Sequence, residues 1–311
     1  MLCWVISPTP PAQPSPGPPA RVPSRRFLAW EVVLVLGVSL GRSAVYAILQ
    51  LAERLAEAPL AEQTATVHSS RSRHELFDLT YQVLDSIFAL VPVALVLYLM
   101  FLHGVNPFRR FGLDLRRPRR DLALGAGLFL LIGAGTLVVY VGGRTAGVTM
   151  EIIPADVTAH WWTTPTLLIA AVRHALVEEV IMVAYLLDRA RRIWPGLTPS
   201  WVRPESSLQA APAPAGHRAE PRDAAPAGLP RLGRLWWVVV AAALLRGAYH
   251  LYQGFGPGLG NALMGVVFGA VYLRYGRVMP LVIAHFLLDA VAFLAFPLVL
   301  RLTGVSALIG G

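Results

Sequence analysis

The chain has 311 residues, of which 55% are hydrophobic and only 14% are charged, and its mean hydropathy is +0.56. Soluble domains are typically about 45–50% apolar and about 25% charged, so this composition excludes an ordinary water-soluble globule, and its hydrophobicity excludes a wholly disordered chain. A single cysteine excludes a disulfide framework, and the net charge of +9 comes entirely from arginines beside apolar stretches, which indicates a membrane protein and argues against nucleic acid as a partner.

Residues 1–24 are rich in proline, serine and alanine, which predicts a disordered tail. Seven apolar stretches long enough to be helices follow this tail. They lie at about residues 27–49, 79–102, 122–141, 161–187, 235–253, 258–273 and 278–300. Between the fourth and fifth, residues 194–233 are predicted to be a flexible cytoplasmic loop. The helices of residues 25–193 and 234–311 would then form one membrane domain.

The arginines predict how this bundle is oriented. Nineteen of them flank the predicted helices on the side that holds the N-terminus, and five lie on the other side. Because cytoplasmic loops carry the excess of positive charge, the sequence predicts an all-α, polytopic integral membrane helix bundle with seven transmembrane helices and a cytoplasmic N-terminus. The lysine-free, arginine- and alanine-rich composition is typical of a high-GC bacterial genome, so we expect a bacterial plasma membrane as the location.

Ionisable side chains within the predicted spans concentrate on three helices. A charge at the bilayer centre costs about 2.5–3.5 kcal/mol on insertion scales, so each needs a partner or a water-filled cavity. The fourth helix carries Glu178 and Glu179, the fifth carries His250, and the seventh carries His285 and Asp289. The spacing of His285 and Asp289 puts both on one helix face. This pattern predicts a polar catalytic or binding cluster, with structural pairing and ion conduction as the alternatives.

Such a cluster could activate water for hydrolysis. Glu178 would act as the general base, His250 would help to hold the water, and His285 and Asp289 would face the developing oxyanion. Alternatively, His250, His285 and a carboxylate, either Asp289 or Glu178, would bind Zn²⁺ and leave one position for water. The residues alone leave the zinc-dependent and the metal-free mechanism both open.

The order of these residues is that of a known family. Glu178-Glu179, then His250, then His285-x-x-x-Asp289 follow the series EExxxR, FxxxH and HxxxN or HxxxD on successive membrane helices. This order resembles the CPBP family of intramembrane proteases, which includes the type II CAAX prenyl endopeptidases and proteins linked to bacteriocin processing and immunity. The resemblance covers about residues 161–296 without the loop. It implies that Glu178 activates water together with His250, that Glu179 orients or supports, and that His285 and Asp289 complete the site.

Three positions within these motifs have consequences for the chemistry. Val183 stands where the family pattern has an arginine, and Arg246 stands where it has an aromatic residue. We therefore expect Arg246 to supply the missing positive charge, for example to Glu179. Asp289 stands where asparagine is also found, and an ionised aspartate repels an oxyanion. Asp289 would have to be protonated, paired with His285 or bound to a metal, which favours the zinc alternative.

The sequence thus predicts an endopeptidase that cleaves a peptide, or the tail of a membrane-anchored protein, inside the bilayer. Two other functions stay open. One is a non-catalytic immunity or scaffold protein of the same fold, which the departures at Val183 and Arg246 keep in view. The other is a proton-coupled transporter, against which the lack of repeated halves counts. His174 has no role that the family supplies, and we interpret it as a packing residue.

Overall fold

The computed structural model describes residues 23–156, 160–194 and 235–303, and these are 80% helical. Its α-helices are α1 (Arg25–Gly37), α2 (Leu40–Glu57), α3 (Glu75–Leu102), α4 (Pro107–Phe111), α5 (Pro118–Thr145), α6 (Thr163–Leu176), α7 (Leu186–Ile193), α8 (Leu235–Tyr249), α9 (Phe255–Tyr275) and α10 (Met279–Thr303). A π-helical segment, Val177–Tyr185, joins α6 to α7, and the turns Leu60–Glu62 and Leu251–Gln253 are 3₁₀-helical. The predicted tail and the predicted cytoplasmic loop lie almost entirely outside the described residues.

Every predicted apolar stretch coincides with helical structure, but the first is broken. It forms α1 and α2, which meet at an angle of 48°. Ser24 begins α1 by accepting a hydrogen bond from the backbone N–H of Phe27 at 3.2 Å, as expected for a serine at this position. Between the two helices, the Ser39 hydroxyl donates to the carbonyl of Val35 at 2.6 Å. This local bond offers the backbone an alternative to continuous helix.

A small sheet adds to the helical architecture that the sequence predicts. Strand β1 (Thr64–Ser69) pairs in parallel with β2 (Glu151–Asp156), in a register that begins with Thr64 opposite Glu151. β1 follows α2 and β2 follows α5, so the pairing joins two connections that are far apart in the chain. Val67 of β1 and Ile152 of β2 both reach the large cavity described below. The sheet therefore forms part of a cavity wall.

The surface of the bundle suits a bilayer. Large apolar side chains on α3 and α5 face outward, with Phe88 67% exposed and Val138 72% exposed. Helices α3, α5 and α9 are long and apolar enough to cross a membrane, and the bent pair α1–α2 would be a fourth span. α8 and the segment Met279–Ala295 are apolar but shorter. The structure is thus that of a multi-pass, all-α membrane protein, while seven spans and a cytoplasmic N-terminus stay predictions.

Glycines allow α8 and α9 to approach each other closely. A Cβ atom at Gly265 would lie 2.9 Å from the Cα atom of Ala243, and one at Gly269 would lie 2.7 Å from a methyl group of Val239. Small residues at such interfaces let helix backbones come together in membranes. The close approach places the guanidinium carbon of Arg246 5.5 Å from the centre of the Phe268 ring, a cation–π distance. This packing fixes where the Arg246 side chain lies.

A buried ion pair ties α1 to α7. Arg189 donates to Glu31 Oε1 at 2.7 Å, and the Tyr185 hydroxyl donates to the same oxygen at 2.8 Å. Both charged residues are buried. We call Glu31, Tyr185 and Arg189 the anchoring trio. None of its members lines the large cavity, so it serves below as a structural comparison for the candidate site.

Candidate active site

The two adjacent glutamates of the site lie in the π-helical segment. π-helical turns are rare and are frequently found at functional sites. Glu178 lines the large cavity, whereas Glu179 lies behind it and is completely buried. The sequence predicts these residues on a helix, but the π geometry is not visible in their spacing. Neighbouring carboxylates in a buried place require a positive partner.

Arg246 of α8 provides that partner. One of its nitrogens, Nη2, lies 2.8 Å from Glu179 Oε1 and 3.0 Å from Glu178 Oε2. The side chain is 1% exposed, so its charge is withdrawn from water. The contact with Glu179 is the one that we expected from the missing arginine at Val183. Val183 itself is a buried apolar residue.

His285 of α10 joins the same cluster through its Nδ1 atom. This atom lies 2.8 Å from Glu179 Oε1 and 3.2 Å from Arg246 Nη2. This nitrogen cannot both donate to the carboxylate and accept from the guanidinium. The shorter distance indicates that it carries a proton and donates a hydrogen bond to Glu179 Oε1. The other ring nitrogen, Nε2, then faces Asp289, whose Oδ1 lies 3.8 Å away. Glu179 thereby fixes the orientation of the imidazole.

Two residues at the end of α8 complete the polar wall. The Tyr249 hydroxyl donates to Glu178 Oε2 at 2.7 Å. The Nδ1–H of His250 donates to the Arg246 carbonyl at 3.0 Å, which leaves Nε2 of the neutral ring as an acceptor. Sequence analysis assigned no role to Tyr249, although it stands next to His250. The hydroxyl and the guanidinium thus both contact Oε2 of the Glu178 carboxylate.

The cavity itself has a volume of about 850 Å³, within the range of about 300–1,000 Å³ typical of ligand sites. Four of the five predicted site residues line it: Glu178, His250, His285 and Asp289. Most of the remaining wall is apolar and comes from several helices and the sheet. A pocket with an apolar body and a few converging polar groups suits an extended apolar substrate.

The predicted zinc ligands do not come together in the described part of the chain. His250, His285 and Asp289 do not form a group whose ligand atoms all lie within 4.8 Å of one another. The described residues that meet this limit are Glu178, Glu179 and His285, and Arg246 Nη2 lies within 3.2 Å of a ligand atom of each. Arg246 therefore already places one positive charge against these two carboxylates, and a divalent cation bound at the same position would be repelled by it.

His68 of β1 provides a test of how the sheet packs against this region. Burial is the largest cause that lowers the pKa of its imidazole, and together with the neighbouring Arg173, His174 and Arg71 side chains, and against a hydrogen bond to Gln82 that raises it, burial brings the pKa to about 4. The folded protein therefore holds His68 neutral while the unfolded chain protonates it below about pH 6.5. The contribution of His68 to the free energy of unfolding is therefore at its full value above pH 6.5 and is lost as the pH falls toward 4.

We therefore expect His68→Gln to flatten the fall in unfolding midpoint between pH 7 and pH 5, because the titrating ring is gone. The measurement is thermal unfolding of the full chain in detergent across this pH range. His74→Gln removes an exposed histidine next to α3 and should leave the slope as it is in the wild type. An unchanged slope in His68→Gln would show that His68 is not held neutral by its surroundings.

Comparison with known proteins bears on this site. Residues 160–291 match the family model described as type II CAAX prenyl endopeptidase Rce1-like. The matched segment is less than half of the chain, but it contains all five predicted site residues. A search of curated proteins and a search of solved structures each found no match.

Proposed function

We propose that this chain is an intramembrane endopeptidase that hydrolyses a peptide bond with a glutamate-activated water. The match of residues 160–291 to the Rce1-like family model supports this proposal, as does the resemblance of the motifs to the CPBP family of intramembrane proteases. The observation that supports this most is the placement of Glu178. Its carboxylate faces a mainly apolar cavity, and Arg246 and Tyr249 hold one of its oxygens. A carboxylate so placed can take a proton from a water that sits against a substrate.

The proposed reaction follows from the hydrogen bonds of the side chains. Water donates one hydrogen bond to Glu178 and one to His250 Nε2, and its oxygen attacks the scissile carbonyl carbon as Glu178 takes the proton. In this mechanism His285 is protonated, since the carboxylates of Glu179 and Asp289 lie on either side of its ring, 2.8 Å from Nδ1 and 3.8 Å from Nε2. Its Nε2–H then donates to the oxyanion.

Collapse of the tetrahedral intermediate completes the hydrolysis. The carbon–nitrogen bond breaks, and the departing amine takes the proton that Glu178 accepted. The products are a new carboxylic acid and a new amine, which exchange a proton to become a carboxylate and an ammonium group, and Glu178 returns to its ionised form. No step needs a metal ion, because Arg246 provides the positive charge behind the two glutamates.

Removal of divalent metals should therefore leave cleavage intact. We expect kcat to change by less than about twofold after treatment with a chelator and dialysis, and we expect metal analysis of the active protein to find much less than one zinc per chain. Activity that disappears on chelation, returns with Zn²⁺ and is lost in His250→Ala would contradict the metal-free mechanism.

The substrate class that we propose is a membrane-anchored peptide tail with an apolar segment, because the cavity wall is mostly apolar. The direct test places the purified full chain in phospholipid vesicles with two probes, a prenylated peptide that ends in a CAAX sequence and an unmodified apolar peptide. In water enriched in ¹⁸O, hydrolysis labels the new carboxylate, which mass spectrometry detects. If neither peptide nor a pool of bacterial membrane proteins gains the label, the proposed function is wrong.

We also propose seven spans with the N-terminus and the arginine-rich loops on the cytoplasmic side of a bacterial plasma membrane. The charge asymmetry and the seven helical stretches support this topology. Single cysteines placed at Ser24 and at Thr145, each in a chain in which Cys3 is replaced by serine, test it by their labelling with a reagent that does not cross membranes. We expect labelling at Thr145 alone in intact cells, and the reverse pattern would invert the topology.

A further inference from the structure

Asp289 lies between two histidines, and only one of them belongs to the family pattern. Its Oδ1 faces His285 Nε2 at 3.8 Å, and its Oδ2 lies 2.9 Å from His174 Nδ1. His174 comes from α6, across the cavity wall from α10, and both His174 and Asp289 line the cavity. The interpretation of His174 as a packing residue is therefore incomplete, because its ring makes a short polar contact with a candidate site residue.

Two neighbours fix the His174 ring. Arg173 contacts the His174 Nε2 atom through Nη2, and a guanidinium can only donate. His174 Nε2 must then accept, so the ring proton lies on Nδ1 and points at Asp289. The Phe293 ring lies edge-on to the imidazole with 6.0 Å between the ring centres. Arg173, His174 and Asp289 thus form a chain of hydrogen bonds with one defined direction.

These hydrogen bonds explain how an aspartate can occupy position 289. An ionised aspartate facing an oxyanion would oppose the reaction, whereas an asparagine would not. The His174 Nδ1–H donates a hydrogen bond to one carboxylate oxygen, and the positively charged Arg173 contacts the other nitrogen of the same ring. The other oxygen is left to face His285, where a negative charge favours the protonated imidazole instead of opposing the oxyanion directly.

We propose that His174 is a positioning residue. It holds Asp289 through Oδ2, so that the negatively charged Oδ1 stays beside His285 Nε2 and orients the imidazole. The role rests on the proposed peptidase activity. It differs from packing because it depends on a donor at the Nδ1 position and on a negative charge at residue 289. Both requirements can be removed separately.

The test compares substitutions of His174 in two backgrounds, the native chain and Asp289→Asn. In the native background we expect His174→Leu to lower kcat by roughly 10–100-fold, with a much smaller change in KM. His174→Asn, whose amide N–H can take the place of Nδ1–H, should restore most of that loss, and His174→Gln, whose donor reaches further, should restore less. In the Asp289→Asn background, His174→Leu should cost less than about threefold, because no charge needs to be held there.

The outcomes separate this role from simpler ones. Equal losses for the Leu, Asn and Gln variants, or the same loss from His174→Leu in both backgrounds, would overturn the positioning role even if every variant folds. His74→Leu removes an exposed histidine away from the cavity and should match the wild type. If the wild type cleaves and His174→Leu cleaves equally well, only this role fails. If the wild type labels no substrate, the proposed function fails and this role with it.

Discussion

Replacing Glu178 by glutamine is expected to lower kcat by about 10²–10⁴-fold, the range for loss of a general base, while KM stays close to the wild-type value. Glutamine has the same size, and its amide oxygen can still accept the hydrogen bond that the Tyr249 hydroxyl donates at 2.7 Å. It cannot take a proton from water at neutral pH. The measurement is initial rates of peptide cleavage in vesicles, together with the unfolding midpoint of each protein.

The anchoring trio offers a matched control for this prediction. Glu31 is also a buried carboxylate that accepts from a tyrosine and an arginine, Tyr185 and Arg189, but it lies outside the cavity. Glu31→Gln should therefore lower stability without lowering the rate per folded molecule. A scaffold protein would keep its cellular phenotype in Glu178→Gln. Wild-type cleavage rates in Glu178→Gln would remove Glu178 from the mechanism.

Replacing Arg246 by leucine is expected to have the largest effect on stability, a loss of about 3–5 kcal/mol, as for a buried charge that loses its partner. Glu178 and Glu179 would then face each other with His285 as the one remaining cation of the described cluster. Because the guanidinium also orients both glutamates, we expect kcat of the folded fraction to fall by about 10²-fold or more. Glu179→Gln should cause a loss of activity of similar size.

Two further variants keep this prediction testable if Arg246→Leu folds poorly. The double variant Arg246→Leu with Glu179→Leu removes both members of a buried pair and should regain much of the lost stability, yet stay inactive. Arg189→Leu removes an arginine of equal burial from the anchoring trio and should lose stability without losing the rate per folded molecule. Full activity in the double variant would show that Arg246 serves the fold alone.

The helices and the candidate site residues could be predicted because their signals are local. Apolar length indicates a membrane helix, and a histidine four residues from a carboxylate indicates a shared face. The partner of Glu179 could be expected only because Val183 left a charge unbalanced. Arg246 is 67 residues away from it in the chain, and spacing alone does not show that α8 packs against the π-helical segment.

Other features depend on contacts that no local pattern contains. β1 and β2 are short and pair across more than 80 residues, so neither is distinguishable from a polar connection. The contact of His174 with Asp289 spans 115 residues and depends on how α6 packs against α10. The distances between the predicted zinc ligands have the same origin, since they depend on how α8 packs against α10.

The arrangement around Arg246 Nη2 determines where the positive charge of the pocket comes from. This atom meets Glu178, Glu179 and His285 at once, and it is part of the polypeptide. Each molecule acquires it at translation, in fixed stoichiometry, and it cannot dissociate on dilution or be captured by a competing binder. Under the proposed metal-free mechanism, a cell starved of trace elements would still produce an active pocket.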